Sequence, residues 1–372
     1  MKKILLAAIA AAVLLASCEK DDYVTGVKAP SGESQLVERV DGRIVLAYAT
    51  YYGTVTPNAA FFTHLNYAFA EPYMENGEYV GLGLQGGEDR FQKIVELKKK
   101  HPGLKICISF TDTKEDPRGG CFSRLAKSDE FRKKFAADCK AFVQKWGIDG
   151  VDMDWEFPGL SWSGNTDAYD VAVDVANHVL LMKQLRETLG NGYLLTYAGY
   201  SNDKAAVTGG WRYIDIAAVN PYVDFVNIMT YDLDEAPRHQ SALNDPRATS
   251  DCTRAVQAYL NAGMPANKLV LGVPFYARHS FSGSPTAINY NRLIAYTSGQ
   301  GYEIDNWDEA ASVPYITYNG VYYAGYDNEK SIAIKGEWLL NKGMSGIMYW
   351  DYDGDDTSGT LRKAVWNAVM KK

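Results

Sequence analysis

Three carboxylates spaced two residues apart, Asp152, Asp154 and Glu156, are the side chains best suited to chemistry. The surrounding segment is rich in Val, Met and Trp and ends in Phe157-Pro158, which favours a buried strand over a calcium loop with its turn-forming glycine. Successive side chains on a strand alternate between its faces, so the three carboxylates point the same way. Mutual repulsion and burial then raise at least one pKa, which predicts a carboxyl that keeps its proton near neutral pH.

Glu156 lies at the end of this predicted strand. Barrel enzymes place their catalytic groups at the carboxyl ends of strands, so we interpret Glu156 as the proton donor. Asp154 is its expected partner. Asp152 lies deeper and is expected to hold Asp154 through a shared proton.

Short apolar segments alternate with longer amphipathic segments along most of the chain. This alternation predicts a parallel sheet with right-handed helical crossovers, and eight strands in 372 residues favour a closed α/β barrel, the (β/α)8 or TIM barrel, over an open doubly wound sheet. The predicted strands are Arg43–Ala49, His64–Ala70, Leu104–Phe110, Gly150–Trp155, Tyr193–Ala198, Phe225–Thr230, Leu269–Pro274 and Gly346–Trp350. The predicted helices are Arg90–Lys100, Glu130–Trp146, Tyr169–Leu189, Cys252–Ala262 and Lys330–Asn341.

One segment, 280–326, interrupts the alternation. It contains two alternating stretches around Asn319-Gly320, the signature of a hairpin with a two-residue turn. We therefore predict a single domain with an elaborated, hairpin-containing loop between strands seven and eight.

The carboxylate segment, Asp-x-x-Asp-x-Asp-x-Glu, resembles the signature of glycoside hydrolase family 18, the chitinases and endo-β-N-acetylglucosaminidases. Further motifs follow in family order along nearly all of the chain after its N-terminus. They are Leu-Asn-Tyr-Ala-Phe at 65–69, Asn-Ile-Met-Thr-Tyr-Asp at 227–232, Gly-Val-Pro-Phe-Tyr-Ala-Arg at 272–278, Tyr326-Asp327 with Ser331, and Gly-Ile-Met-Tyr-Trp at 346–350.

Two departures from the family pattern stand out. The third strand ends in Ser109-Phe110-Thr111-Asp112 where the family usually has Ser-x-Gly-Gly, so we expect this corner of the site to be reshaped. The segment after strand seven is short for the additional α+β wall of deep-cleft chitinases, so we expect a shallower, more open groove.

The resemblance implies a role for each matching residue. Glu156 would protonate the glycosidic oxygen while the substrate's own acetamido group attacks the anomeric carbon, with retention of configuration. Asp154 would stabilise the resulting oxazolinium ion, Tyr231 would hold the acetamido carbonyl in line, and Trp350 would form the floor under the sugar. Further pocket-lining residues would be Asp232, Met229 and Tyr48.

The implied substrate is a β-1,4-linked N-acetylglucosamine glycan, chitin or its oligosaccharides, with no metal and no organic cofactor. One alternative is an endo-β-N-acetylglucosaminidase that acts on the N-glycans of glycoproteins, because both groups share the carboxylate strand. Another is a non-catalytic glycan-binding lipoprotein, although such relatives typically lack the acid. Trp162 is a candidate sugar platform without an assigned role.

Several other signals limit the function further. A formal net charge of −7 argues against a nucleic-acid partner, whose phosphates would be repelled. The Gly-x-Gly-x-x-Gly match at 81–86 lacks the strand that a dinucleotide site needs before it. Four cysteines, Cys107, Cys121, Cys139 and Cys252, have no zinc-ligand spacing but allow one or two disulfides. We expect a monomer.

The N-terminus is typical of a bacterial lipoprotein. Lys2-Lys3 precede an apolar stretch, Ile4–Leu15, too short for a comfortable membrane span, and Leu15–Cys18 matches a lipobox. The alternative is an ordinary secretory signal with a chance cysteine. We predict a signal peptide at 1–17, a flexible tether at 18–38 and a catalytic barrel at 39–372. The protein would contact the membrane only through a lipid on Cys18, at the outer membrane or cell surface, with a periplasmic orientation left open.

Overall fold

The computed structural model describes residues 38–159, 173–201 and 214–371, so Cys18 and Trp162 lie outside the described residues. The strands within these ranges are β1 (Ile44–Thr50), β2 (His64–Glu75), β3 (Glu78–Leu84), β4 (Lys105–Thr111), β5 (Gly150–Asp154), β6 (Leu194–Gly199), β7 (Phe225–Ile228), β8 (Leu269–Pro274), β9 (Tyr276–Arg278), β10 (Ala287–Asn289), β11 (Tyr302–Asp308), β12 (Val313–Tyr318), β13 (Val321–Gly325) and β14 (Gly346–Trp350). The α-helices are α1 (Glu88–Val95), α2 (Leu97–Lys100), α3 (Phe122–Lys127), α4 (Asp129–Trp146), α5 (Asp174–Leu189), α6 (Ile216–Val219), α7 (Cys252–Asn261), α8 (Tyr290–Leu293), α9 (Glu329–Asn341) and α10 (Thr360–Met370).

Eight parallel strands close into a barrel in the order β1, β2, β4, β5, β6, β7, β8 and β14, and β1 pairs with both β2 and β14. The prediction of a (β/α)8 barrel is confirmed, and all eight predicted strands are present. Among the predicted helices, the first divides at Glu96 into α1 and α2. The helix predicted from Tyr169 is described from Asp174 onward.

The two faces of each barrel strand pack into different surroundings. On β1, Val45 and Ala47 lie in the large core between the sheet and the helices, whereas Leu46 and Tyr48 lie in a smaller cluster inside the barrel. Each fully buried aliphatic side chain stabilises the fold by roughly 1.5–3 kcal/mol. The inward faces instead carry several polar residues, and these form the candidate site.

The glycine-rich segment at 81–86 belongs mainly to β3, which pairs antiparallel with β2 at the edge of the barrel sheet. At Gly83 a Cβ atom would lie 2.2 Å from Tyr73 Oη, so the absence of a side chain there leaves room for the Tyr73 ring to pack across the strands. This glycine pattern therefore has a packing role in a hairpin.

The segment after β8 contains more strands than the sequence analysis predicted. The predicted hairpin is confirmed as β12 and β13, with Asn319 and Gly320 at φ 49° and 76° in its turn. However, β9, β10 and β11 join it in a five-stranded antiparallel sheet, and α8 lies between β10 and β11. The expectation that this segment is too short for an additional α+β unit is wrong, because its short strands lack the long apolar alternation by which strands are recognised.

The described cysteines do not form disulfides. Cys107, Cys121, Cys139 and Cys252 are all buried thiols, so the bridges that the sequence allowed are not made among them. In the described part of the chain, no helix combines the length and the apolar character needed to cross a membrane.

Candidate active site

Asp152 is the centre of a hydrogen-bond network inside the barrel and is fully buried. Its Oδ2 accepts from Tyr48 Oη at 2.7 Å and from Ser109 Oγ at 2.8 Å. Its Oδ1 accepts from Thr196 Oγ1 at 2.5 Å and from Asn227 Nδ2 at 3.3 Å. The donors come from four strands, β1, β4, β6 and β7. They fix the carboxylate in one position.

Burial raises the pKa of Asp152, and the hydrogen bonds from Thr196, Tyr48, Ser109 and Asn227 oppose that rise. A buried carboxylate is costly unless donors satisfy it, and this one has four. The four donors therefore offset part of the cost of burying Asp152, which precedes Asp154 and Glu156 on the same face of the chain.

Asp154 and Glu156 form a hydrogen-bonded carboxyl pair above Asp152. Burial raises the pKa of Asp154 well above its ordinary range, and the charges of Glu156, Asp152 and Asp112 raise it further. Burial and the charge of Asp232 raise the pKa of Glu156 to about 7, although its hydrogen bond with Asp154 acts in the opposite direction. Because the two carboxyls interact, they titrate as a pair, and burial favours the protonated form of both.

The three carboxylates differ in how much of each side chain is exposed to solvent. Asp152 and Asp154 are buried, with 0% and 5% of their surfaces exposed, whereas Glu156 is partly exposed. Glu156 lies two residues after Asp154, the last residue of β5, at the carboxyl end of the barrel. A proton donor must reach its substrate, and Glu156 alone of the three is open to the outside.

Tyr231 and Asp232 follow β7 on the same rim of the barrel and are partly exposed. Gly272 makes room for the tyrosine, because a Cβ at that position would lie 2.9 Å from Tyr231 Cε1. Burial raises the pKa of Tyr231 well above its ordinary range, so its hydroxyl remains a donor at physiological pH. Asp232 accepts a bidentate pair from Arg278, at 2.8 Å to each oxygen.

An aromatic surface lies beside the carboxyl pair. Trp350, at the end of β14, is partly exposed and stacks on Phe69 with centroids 5.6 Å apart and an interplanar angle of 23°. The ring of Tyr48 lies 5.5 Å from that of Trp350. Met229 packs against the same inner cluster and is partly exposed. Flat apolar surface next to an acid suits the apolar face of a sugar ring.

The structure thus brings the eight sequence-predicted site residues of the barrel to one end of it. The sequence did not assign roles to Ser109, Thr196, Asn227, Arg278 and Phe69. Asn227 and Arg278 lay within motifs that were recognised, and Ser109 and Thr196 follow the same inward alternation as Asp152. That alternation was the available signal.

Acid catalysis at a sugar ring needs a proton-bearing carboxyl beside an apolar surface, and the carboxyl end of this barrel provides both. The fold and the site are those of a glycoside hydrolase. The model of glycosyl hydrolases family 18 matches residues 44–355, so the chain belongs to that family.

Several characterised proteins share this architecture. The chain is 34% identical over 312 residues to chitinase A1 of Niallia circulans, a match that covers 71% of this chain and 42% of that protein. It is 28% identical over 334 residues to chitotriosidase-1 of Mus musculus, with 82% of this chain and 69% of that protein covered. This chain therefore spans less than half the length of the Niallia enzyme.

Two solved structures extend the comparison. The group IV chitinase of Ostrinia furnacalis superposes with a TM-score of 0.76 at 25% identity, covering 88% of this chain and 100% of that one. A family 18 N-acetylglucosaminidase from Paenibacillus barengoltzii gives a TM-score of 0.72 at 25% identity, with 88% and 100% covered.

Proposed function

We propose that this protein hydrolyses β-1,4-linked N-acetylglucosamine glycans, chitin or its oligosaccharides, with retention of the anomeric configuration and assistance from the substrate. The observation that carries the proposal is the placement of Asp154 and partly exposed Glu156 at the carboxyl end of β5, where burial raises the pKa of Glu156 to about 7. A carboxyl of that pKa is protonated in a useful fraction of molecules at neutral pH and can still give up its proton.

In the first step Glu156 transfers its proton to the glycosidic oxygen. The bond from that oxygen to the anomeric carbon breaks, while the carbonyl oxygen of the substrate's acetamido group attacks the same carbon. The product is a cationic oxazolinium ring, and the departing sugar leaves with the proton. Asp154 accepts from the acetamido N–H, which stabilises the positive charge.

In the second step Glu156, now ionised, removes a proton from water as the water attacks the anomeric carbon. The ring opens and the acetamido group is restored. Two displacements at one carbon return the original configuration, so the β-anomer is released.

Tyr231 and Trp350 suit the positioning that this chemistry needs. The Tyr231 hydroxyl keeps its proton and can donate to the acetamido carbonyl, which aligns the attacking oxygen with the anomeric carbon. Trp350 presents a partly exposed ring held by Phe69 as a floor beneath the distorted sugar. The chitinase names of the relatives support the same substrate class.

The test is a parallel product assay on chito-oligosaccharides and on a high-mannose glycoprotein, with wild type, Glu156→Gln and a control. The amide retains the shape but cannot donate the proton, so we expect loss of at least about a hundredfold in rate. Glu187→Gln, a change on the exposed side of α5, is the matched control and should keep wild-type activity. Proton NMR of the first product should show the β-anomer.

The outcomes separate the alternatives. Release of N-glycans without cleavage of chito-oligosaccharides would establish the endo-β-N-acetylglucosaminidase function instead. Binding of either glycan without turnover would indicate a glycan-binding protein. Full activity of Glu156→Gln would refute the mechanism.

We further propose that the protein is an exported lipoprotein anchored through Cys18, because residues 15–18 match a lipobox. Full-length wild type should partition into the detergent phase of Triton X-114, and Cys18→Ser should remain aqueous. Partition of both variants into the aqueous phase would refute the anchor.

A further inference from the structure

Asp112 is a buried carboxylate at the point where this chain departs from the family pattern. It follows β4, whose last residue, Thr111, is in register with Asp154 on the neighbouring strand β5. The Asp112 side chain is only 5% exposed. A glycine at this position would carry no charge into the site.

The loop that carries Asp112 is fixed from the barrel side by Glu71. This carboxylate, itself 1% exposed, accepts from the backbone N–H of Glu115 at 3.1 Å and of Asp116 at 2.9 Å. Gln85 Nε2 also donates to the carbonyl of Thr113 at 3.3 Å. These bonds hold the loop in place one to four residues beyond Asp112.

The negative charge of Asp112 acts on Asp154 and helps to raise its pKa, after burial and the charges of Glu156 and Asp152. Two further titratable groups interact electrostatically with Asp154: Tyr48 from β1 and Tyr231 after β7. A like charge favours the protonated form of its neighbour.

We propose that Asp112 is a positioning residue for the reaction: its carboxylate, buried just beyond the end of β4 where Thr111 is in register with Asp154, keeps the Asp154–Glu156 pair protonated and ready to donate. This inference rests on the proposed function, because only an acid catalyst needs that proton. The same negative charge favours the cationic intermediate next to Asp154.

The test compares Asp112→Asn with Asp112→Glu in the pH profile of kcat/KM on chito-oligosaccharides. Without the charge the pair loses its last proton at lower pH, so the alkaline limb should move down by about half a unit to one unit. Asp112→Glu keeps the charge and should restore the wild-type limb. Asp116→Asn, in the same loop but partly exposed and paired with Arg118 at 2.9 Å, is the control and should leave the limb in place.

A second measurement does not depend on activity. A carboxyl whose pKa is raised by folding makes the protein lose stability as pH rises from the unfolded pKa through the folded pKa. Removing the Asp112 charge lowers the folded pKa of Asp154, so Asp112→Asn should lose less thermal stability than wild type as the pH rises above the ordinary pKa range of an aspartate.

The two readouts keep the inferences separate. If wild type cleaves no glycan but the stability difference is present, the proposed function fails and the electrostatic role of Asp112 remains. If Asp112→Asn has the alkaline limb and the pH-dependent stability of wild type, the role of Asp112 is refuted. A limb shifted equally in Asp112→Glu would also refute it, since a charge effect must follow the charge.

Discussion

The ion pair between Asp232 and Arg278 should contribute to the pH at which Glu156 loses its proton. The charge of Asp232 contributes to the raised pKa of Glu156, second only to burial. Replacing Asp232 by Asn removes that charge and leaves the Arg278 guanidinium uncompensated. Both changes favour the ionised form of Glu156, so its pKa should fall. Asn also tolerates the left-handed φ of 53° at this position, so the backbone should remain in place.

The structure bounds the size of this effect. The pKa of Glu156 rises from an ordinary value of 4.5 to about 7, and burial is the largest cause. Asp232 therefore accounts for the smaller part of the rise. Together with the uncompensated guanidinium, its loss should lower the alkaline limb of kcat/KM by about one unit.

Replacing Arg278 in place of Asp232 should shift the alkaline limb of kcat/KM in the opposite direction, which tests the sign of the effect. Arg278→Met removes the cation and leaves Asp232 unpaired, so the alkaline limb should move to higher pH. Arg278→Lys keeps the charge and should stay near wild type. The assay is kcat/KM on a chito-oligosaccharide from about pH 4 to about pH 9, where the limb reports the acid of the free enzyme. Shifts of Asp232→Asn and Arg278→Met in the same direction would refute this electrostatic reasoning.

Two further predictions follow from buried contacts. The Lys335 Nζ atom lies 2.6 and 2.8 Å from the two carboxylate oxygens of Asp327, and both side chains are fully buried. Lys335→Met should therefore lower the free energy of unfolding, measured in urea, by about 3–5 kcal/mol. A loss below about 1 kcal/mol would contradict an essential role of this ion pair in stability. Tyr231→Phe removes the hydroxyl that we propose positions the acetamido group, and it should lower kcat by roughly 10- to 100-fold with unchanged thermal stability. A wild-type kcat would exclude a role for that hydroxyl.

Much of the barrel was predictable because its signals are local. Each strand is recognisable as a short apolar segment between helical patterns. The two-residue period of a strand then places Asp152, Asp154 and Glu156 on one face without knowledge of the fold. The closing of the barrel follows from the number of strands and the handedness of crossovers. The carboxyl end then becomes the only place where Glu156, Tyr231 and Trp350 can meet.

The network around Asp152 was not predictable in the same way. Its donors lie 104, 43, 44 and 75 residues away along the chain, on four strands. Whether they meet depends on the relative register of those strands, which a single sequence does not encode in any short pattern. The non-proline cis peptide bonds after Ala68, Glu156 and Trp350 likewise have no sequence signature.

The five-stranded sheet also belongs to the electrostatics of the site. Arg278 lies on β9, in register with Ala287 of β10 and Gly325 of β13. Gln240 ties this sheet to the loop after β7 by donating to the carbonyls of Tyr276 at 2.7 Å and Gly325 at 3.1 Å.

The antiparallel pairing therefore determines where the guanidinium meets Asp232, and Asp232 acts in turn on Glu156. A residue outside the barrel strands thus helps to control the proton of Glu156, the proposed acid. The sequence placed Arg278 in a family motif, but only the paired strands of the inserted sheet explain why its charge is held there.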